Sequence, residues 1–372
     1  MRHLVITLLI VISFVSCSNT YSQLQEIESY IEEDPKRALE EIRNLNPDKF
    51  LHSPRTKAKH ALLHSMALDK NYIDLTTDSI IAPAVKYYSK HGSADDRLLM
   101  HYYMGRIYEN GGDIDKAAIE YSKGENLVEH VSNDIVVGRL YGCMADVYNK
   151  THNSAKELEY AYKAIDVFEK VGNSRHYNIT KGVVAMAYAN AREYNKADSL
   201  YKESLASLEE DTVSMVVLLG NYARLKVLSP ISDHNGAIRL LGRISNEYNR
   251  ALTADLYCVY AYALQLTGKI NESDSIIEQL AKLGVSELDY WRYLIYKHRG
   301  DNKMALECLE NSSRRYERQM ISLLSNTTDN TLKDYYSSEA EKTKLQMKLK
   351  VSYLLLALVS FAAVAAYIII HL

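Results

Sequence analysis

Small, aromatic and polar positions recur along this chain at a fixed interval of about forty positions. The clearest copy reads GRIYENGGDIDKAAIEYSKG at 105–124 and holds two apolar-patterned stretches around a Gly-Gly turn. Within each stretch the small and aromatic residues stand three or four positions apart, which places them on one face of a helix. The pattern therefore predicts antiparallel helix pairs stacked one after another.

The repeat is visible as columns of matching residues. The columns are Tyr108, Tyr148 and Tyr188; Gly105, Ala145 and Ala185; Tyr121, Ala161 and Tyr201; Gly124, Ala164 and Ser204; and Ala117 with Ala197, which Glu157 interrupts. Small residues at a crossing let two helices approach closely, and the tyrosines fill the space between pairs. Gly111 and Gly112 are free to adopt the positive φ of a turn. A fixed period of this size is typical of a solenoid.

Weaker copies extend the array on both sides. Residues 264–280 and 295–312 keep the turn glycines Gly268 and Gly300, and 216–247 is a degenerate unit. Upstream, residues 61–92 contribute one more pair and residues 22–46 another. We expect about seven or eight helix pairs, running from Leu24 to Tyr316.

Small-x-x-Tyr in a first helix, followed by Ala-x-x-x-aromatic-x-x-small in a second, resembles the tetratricopeptide repeat (TPR). The resemblance implies an all-α fold, a right-handed superhelical solenoid whose concave face is lined by the first helices. The usual repeat is shorter, at roughly 34 residues. The copies marked by Tyr108, Tyr148 and Tyr188 must therefore have longer helices or longer turns.

The same resemblance implies which side chains face the groove. From three copies these are Tyr102, Arg106, Glu109, Asn110, Asp146, Asn149, Lys150, Met186 and Asn190. Family members that hold chaperone C-termini use a Lys/Asn clamp where this chain has Tyr102 and Arg106, so that activity is not carried over. The mixed polar lining fits a peptide-binding groove and equally fits a solvated, unoccupied one.

A longer segment reads ALLHSMALDKNYIDLTTDSIIAPAVKYYSKHG, followed by HYYMGRIYENGGD. It resembles the envelope TPR proteins of Bacteroides and relatives. The resemblance implies a leader, a repeat domain and one transmembrane helix, often followed by an output module. This sequence has nothing after its apolar C-terminal segment, so a signalling role carried by such a module is not transferred.

Both ends of the chain are hydrophobic. Residues 1–17 read as a signal peptide, and FVSC resembles a lipobox, with Cys17 as the lipidation candidate and plain cleavage near Ser16 as the alternative. Residues 351–372 contain no Asp, Glu, Lys or Arg and are expected to form a transmembrane helix. Between them we expect the repeat domain over 22–316 and a polar juxtamembrane helix over 317–350.

The two ends disagree about orientation. A cleaved leader exports the repeat domain, whereas the positive-inside tendency would keep the lysines at 342, 344, 348 and 350 in the cytoplasm. Since the leader acts first, the expectation is a single-pass protein of the inner membrane with a periplasmic repeat domain.

Little in the sequence indicates catalysis, metal binding or nucleic-acid binding. The net charge of −3 gives no reason to expect nucleic acid, and nucleotide-binding and hydrolase motifs are missing. Cys143, Cys258 and Cys308 form no CxxC pair and are read as buried. His60 and His64 share a helix face, with His52 nearby, but have no acidic or cysteine partner at useful spacing. No catalytic residue, metal or cofactor is predicted.

The sequence thus predicts a non-enzymatic, membrane-anchored scaffold that holds a protein or peptide in its groove at the cell envelope. The alternative is a transmembrane signal receptor or regulator whose output module is missing or supplied by a partner.

Overall fold

The structure is a computed structural model that describes residues 20–46, 53–207, 212–318, 320 and 347–352, and within these residues the chain forms helices and turns with no strand. The helices are α1 (20–30), α2 (Pro35–Asn44), α3 (Pro54–Lys70), α4 (Ala82–His91), α5 (Ala94–Asn110), α6 (Ile114–Glu125), α7 (Asp134–Lys150) and α8 (Ser154–Lys170). They continue with α9 (Ser174–Asn190), α10 (Tyr194–Ser207), α11 (Thr212–Leu228), α12 (His234–Asn246), α13 (Ala254–Leu266), α14 (Ile270–Lys282) and α15 (Leu288–Arg299).

Consecutive helices pack as pairs, and the first helices of successive pairs pack side by side. α5 packs on α6, α7 on α8, α9 on α10, and α11 on α12. The first helices form a contiguous series from α3 through α5, α7, α9, α11 and α13 to α15, in which neighbours are in contact. This is the all-α arrangement of a TPR-like solenoid, and it confirms the predicted stacking of helix pairs.

Helix starts are set by side-chain caps at half the repeat interval. The capping residues are Ser93, Asp113, Asn133, Asn153 and Asn173, which are evenly spaced. Each side-chain oxygen accepts a hydrogen bond from the backbone N–H three residues later, at 3.0 to 3.2 Å. Such caps satisfy donors that the first helical turn leaves without partners. The repeat unit therefore consists of two helices, each with its own start signal.

The turns inside the pairs recur at the full repeat interval. Tyr72, Gly112, His152 and Arg192 occupy the equivalent position, and all four have positive φ, between 57° and 79°. The next residue closes the turn, since the backbone N–H of residues 113, 153 and 193 donates to the carbonyls of Tyr108, Tyr148 and Tyr188. Of the two glycines predicted to turn the chain, Gly112 has positive φ, whereas Gly111 has a φ of −76°.

Small residues sit where helices cross closely, as the columns predicted. A Cβ on Gly105 would lie 2.1 Å from Cε1 of the Tyr121 ring, inside the same pair. Further along the array the close approaches connect neighbouring pairs. A Cβ on Gly182 would lie 2.7 Å from Leu218, and one on Gly220 would lie 2.9 Å from Leu256.

The chain separates into two compact units, Met1–Ser312 and Ser313–Leu372. The first contains α1 to α15 and a further helical segment over residues 302–312. In the second, residues 313–318 and 347–352 are helical.

No helix in the described part of the chain is long and apolar enough to cross a membrane. α11 is rich in valine and leucine, but it has 17 residues and carries Arg224 and Lys226. A span of the hydrocarbon core needs about 20 mainly apolar residues. The expected placement as a single-pass inner-membrane protein with a periplasmic repeat domain is contradicted by this finding.

Several expectations fall outside the described residues. These are the leader over 1–17 with Cys17, most of the juxtamembrane segment over 317–350, and the apolar segment 351–372 beyond residue 352.

Candidate functional site: a groove across three first helices

Two adjoining cavities, of about 260 and 220 Å³, are lined mainly by the first helices α7, α9 and α11. Met186 of α9 and Asn221 of α11 line both. We call the pair of cavities the central groove, and its two parts the polar cavity and the apolar cavity.

The apolar cavity, of about 220 Å³, is walled mostly by aliphatic side chains. Its lining residues are Asp146, Ile179, Gly182, Val183, Met186, Val213, Ser214, Val217, Leu218 and Asn221. Val217 is 58% exposed, which makes it one of the most exposed large apolar side chains of the first helices. Asp146 is the one charged residue of this lining. Burial and the negative charge of Glu109 raise its pKa to about 6, against the opposing charges of Lys150 and Arg106.

The polar cavity, of about 260 Å³, brings three carboxamides together. Its lining residues are Asn149, Met186, Ala189, Asn190, Tyr194, Tyr201, Asn221, Arg224, Leu225, Leu228 and Ser229. Arg224 is the one charged residue among them. Its guanidinium is anchored through one nitrogen, because Nη2 donates to Oδ2 of Asp255 at 2.6 Å.

Two of these carboxamides are held in place by a buried carboxylate, Glu157 of α8. Asn149 donates its Nδ2 hydrogen to Oε1 at 2.8 Å, and Asn190 donates to both oxygens at 3.2 and 3.0 Å. Glu157 is 1% exposed, and burial raises its pKa even though the two amides favour the ionised form. Within the described residues no hydrogen bond reaches Oδ1 of either asparagine. Glu157 thus orients α7 and α9 side chains toward the groove.

Closer to the N-terminus, the first helices are linked by ion pairs. Arg106 of α5 donates from Nε to Asp69 of α3 at 3.1 Å and approaches Glu109 at 3.5 Å. Lys150 of α7 then pairs with Glu109 at 2.5 Å. The other oxygen of Glu109 accepts the Tyr121 hydroxyl at 2.7 Å. This chain of charges holds α3, α5 and α7 side by side.

The residues predicted to face the groove therefore have different surroundings. Asp146, Asn149, Met186 and Asn190 line the central groove. Arg106 and Lys150 both pair with Glu109, and Asn110 lines a cavity of about 10 Å³ beside Arg106. Tyr102 is 7% exposed, and its ring packs against those of Tyr103 and Tyr121.

The sequence columns did not include the α11 part of the groove. Tyr222 follows Tyr188 at a shorter interval than the one that separates Tyr188 from Tyr148. Arg224 stands two positions after Tyr222, as Asn190 stands after Tyr188. If the repeat interval is allowed to shorten after Tyr188, Arg224 falls at the position equivalent to Asn190. Nothing in the spacing singles out Ser229, which follows the last turn of α11.

The histidines that share a helix face and the three inner cysteines pack against neighbouring side chains. The rings of His60 and His64 meet edge to face with centroids 5.7 Å apart, and burial lowers both pKa values, that of His64 to about 4. Cys143, Cys258 and Cys308 are buried free thiols. Within the part of the chain that the structure describes, no group of three His, Cys, Asp or Glu side chains is placed to hold a metal ion.

Comparison with known proteins identifies the fold but not a family. No protein-family model matches the chain, and none of the curated proteins matches it. Among solved structures, the chain is similar to a Rap protein complexed with Competence and Sporulation Factor, with a TM-score of 0.56 and 17% identity over 87% of this chain and 94% of that one.

Two further solved structures have the same fold. NprR in complex with its cognate peptide NprX gives a TM-score of 0.58 and 16% identity over 82% of this chain and 98% of that one. Aspartyl phosphate phosphatase F from Bacillus subtilis gives a TM-score of 0.50 and 15% identity, over 82% of this chain and 84% of that one. These likenesses support the TPR-like part of the sequence resemblance and give no support to its envelope type.

Proposed function

We propose that this chain is a non-enzymatic scaffold that binds an extended peptide, or an unstructured segment of a protein, in its central groove. The observation that carries the proposal is the pair of adjoining cavities across α7, α9 and α11, one polar and one apolar. An extended chain crossing three neighbouring helices would meet both.

The polar cavity has the chemistry that a peptide backbone requires. A carboxamide offers both an N–H donor and a carbonyl acceptor, as does each peptide unit. Glu157 fixes the amides of Asn149 and Asn190 before any ligand arrives. Side chains that are already ordered lose less entropy on binding, which favours affinity.

The apolar cavity would take a side chain of the same peptide. Its walls include Val183, Val217 and Leu218, and its volume of about 220 Å³ is of the order of a large aliphatic or aromatic side chain. Burial of one such side chain contributes about 1.5–3 kcal/mol. Polar contacts to the main chain combined with a pocket for a side chain are a recurring arrangement in peptide recognition.

Two solved structures of the same fold add support. One is described as a Rap protein complexed with Competence and Sporulation Factor, and the other as NprR with its cognate peptide NprX. Since identity is 17% to the first and 16% to the second, the likeness bears on the scaffold and not on the choice of peptide.

The test is retention of peptides by the full-length protein. A pool of acetylated random hexapeptides is passed over the immobilised chain, and the retained peptides are quantified by mass spectrometry. Val217→Asp places a charge in the apolar cavity, so we expect it to lower retention about tenfold or more.

The matched control is Leu306→Asp, because Leu306 is also 58% exposed but does not line the groove. We expect wild-type retention from this control. Equal retention by the wild type and Val217→Asp would show that the central groove is not where peptides bind.

A further inference from the structure

Two residues that line the polar cavity each have a buried polar atom with no hydrogen-bond partner among the described residues. The two atoms are Nε of Arg224 and Oγ of Ser229. Ser229 is only 6% exposed. A buried polar group without a partner destabilises the fold, so such atoms are rare in folded proteins and call for an explanation.

The contacts of Arg224 show which of its donors is bonded and which is not. Asp255 holds the guanidinium by Nη2 at 2.6 Å, and Asp255 is itself bonded by the Thr253 hydroxyl. The side chain is therefore anchored through Nη2, while its Nε–H is left without an acceptor in the described part of the chain. Ser229 follows α11 directly, five residues after Arg224, and its hydroxyl lacks a partner there as well.

We propose that the polar cavity binds a carboxylate of the ligand, with Arg224 and Ser229 as the residues that select it, and that the apolar cavity binds the nearest apolar side chain. This inference rests on the proposed peptide-binding function and names the class of peptide. An ionised carboxylate only accepts hydrogen bonds, so its oxygens match the Nε–H of Arg224 and the hydroxyl of Ser229 together. Met186 and Asn221 line both cavities, so the two ligand groups would lie close together along the peptide.

Other ligand groups fit the polar cavity less well. A cation would face the positive charge of Arg224, the one charged residue of the lining. A phosphate carries close to two negative charges and is usually bound by a cluster of arginines. Here there is one arginine, and Asp255 already neutralises part of its charge.

The carboxylate has two sources in a peptide, the C-terminus and the side chains of Asp and Glu. Four hexapeptide pools separate them, each with one fixed leucine. The first has a free C-terminus and no acidic residue. The second has a C-terminal amide and one Asp next to the leucine. In the third, Asn replaces that Asp, and in the fourth, phosphoserine replaces it.

Each pool is passed over the immobilised full-length protein. We expect at least one of the first two pools to be retained about tenfold more than the Asn pool, since a charge-assisted pair contributes more than a neutral one. The preferred pool identifies the source of the carboxylate.

The variants address the two donors. Arg224→Gln should abolish the preference for carboxylate, and Ser229→Ala should reduce it several-fold. Arg224→Lys keeps a cation for Asp255 but loses the planar donor edge, so we expect a stable protein with a reduced preference. Arg239→Gln changes an arginine whose side chain is 71% exposed and serves as the control, with an unchanged preference.

The outcomes distinguish the two proposals. If the Asn pool is retained as well as the carboxylate pools, or the phosphoserine pool better, the carboxylate inference is wrong while peptide binding stands. If no pool is retained more by the wild type than by Val217→Asp, both proposals fail.

Discussion

Arg139 of α7 forms a bidentate ion pair with Glu32, and both N–O distances are 2.8 Å. Glu32 lies 107 residues earlier in the chain, in the turn after α1. Lys70 pairs with the same carboxylate at 2.6 Å, and Nε of Arg139 donates to Nε2 of His176 at 3.3 Å. The first helix pair is thereby connected directly to the fourth, past the two pairs between them in the chain.

Replacement of Glu32 should weaken the protein in a pH-dependent way. Burial raises the pKa of Glu32, but Arg139 and Lys70 outweigh it and lower the pKa from 4.5 to about 2. The pair therefore stabilises the folded state fully above pH 4.5, and this stabilisation is lost as pH falls toward 2. Because the Glu32 side chain is 44% exposed, solvent screening reduces the effect, and we expect Glu32→Gln to cost about 1–2 kcal/mol at pH 7.

Urea unfolding at pH 7 and at pH 3 measures this loss, which should shrink at the lower pH. The matched control is Glu41→Gln, since Glu41 is 43% exposed and its ion pair is with Arg37, four residues away on the same helix. That substitution should cost less than about 0.5 kcal/mol. Equal losses for the two variants would contradict a special role for the long-range pair.

Gly105→Ala should destabilise the third helix pair. The new Cβ would lie 2.1 Å from the Tyr121 ring, and that ring is fully buried with its hydroxyl bonded to Glu109. Overpacking of this kind costs about 1–3 kcal/mol. Gly142→Ala is the control, because nothing lies within 4 Å of its Cβ position, and it should stabilise α7 by up to about 1 kcal/mol. Thermal unfolding compares both variants with the wild type. A Gly105→Ala protein as stable as the wild type would refute the close packing of Gly105 on Tyr121.

Arg192→Gly should stabilise the fifth helix pair. Arg192 occupies the turn position at which Gly112 stands in the third pair, and its φ is +64°. The left-handed region costs a residue with a side chain about 1–2 kcal/mol, whereas glycine enters it freely. After the entropy that glycine adds to the unfolded chain, we expect a gain of about 0.5–1 kcal/mol in thermal or urea unfolding. Arg192→Ala keeps the strain and should show no gain; equal effects of the two changes would argue against strain at this turn.

Asp146 should make the folding stability depend on pH with a sign opposite to that of Glu32, and the Asp146→Asn variant should lack this dependence. The pKa of Asp146 is raised from 3.8 to about 6 by burial and by Glu109, so the folded state retains a proton that the unfolded state releases. Stability from this group is present below pH 3.8 and is lost as pH rises through 6. At pH 7.5 the variant should be more stable than the wild type by about 1–3 kcal/mol, with little difference at pH 4. Parallel stability–pH curves for the two proteins, measured by urea unfolding, would contradict the assignment.

The helix pairs were predictable because their spacing is local and regular. The small residues at 105, 145 and 185 and the tyrosines that follow them mark each first helix, and the structure places them as expected. The capping residues at half the repeat interval carry the same information. Such signals depend on neighbours within one or two helical turns, which is the range over which a sequence pattern is direct.

The groove was predictable only in part. Asn149 and Asn190 follow from the repeat frame, but Arg224 lies beyond the point at which the interval shortens. Glu157 looked like a break in an alanine column, whereas it is the carboxylate that positions both asparagines. The pairing of Glu32 with Arg139 depends on how four helix pairs stack, which no local spacing encodes.

The glycines also bear on how this array could have grown by gene duplication. Gly105 is matched to Tyr121 within one helix pair, so a duplication of that pair copies both sides of this contact. Gly182 and Gly220 are matched to Leu218 and Leu256 in the following pairs, so a breakpoint between those pairs separates the two sides of a close contact. A duplication of one later pair alone would therefore place its glycine against a different neighbouring helix, where the close approach would have to form anew.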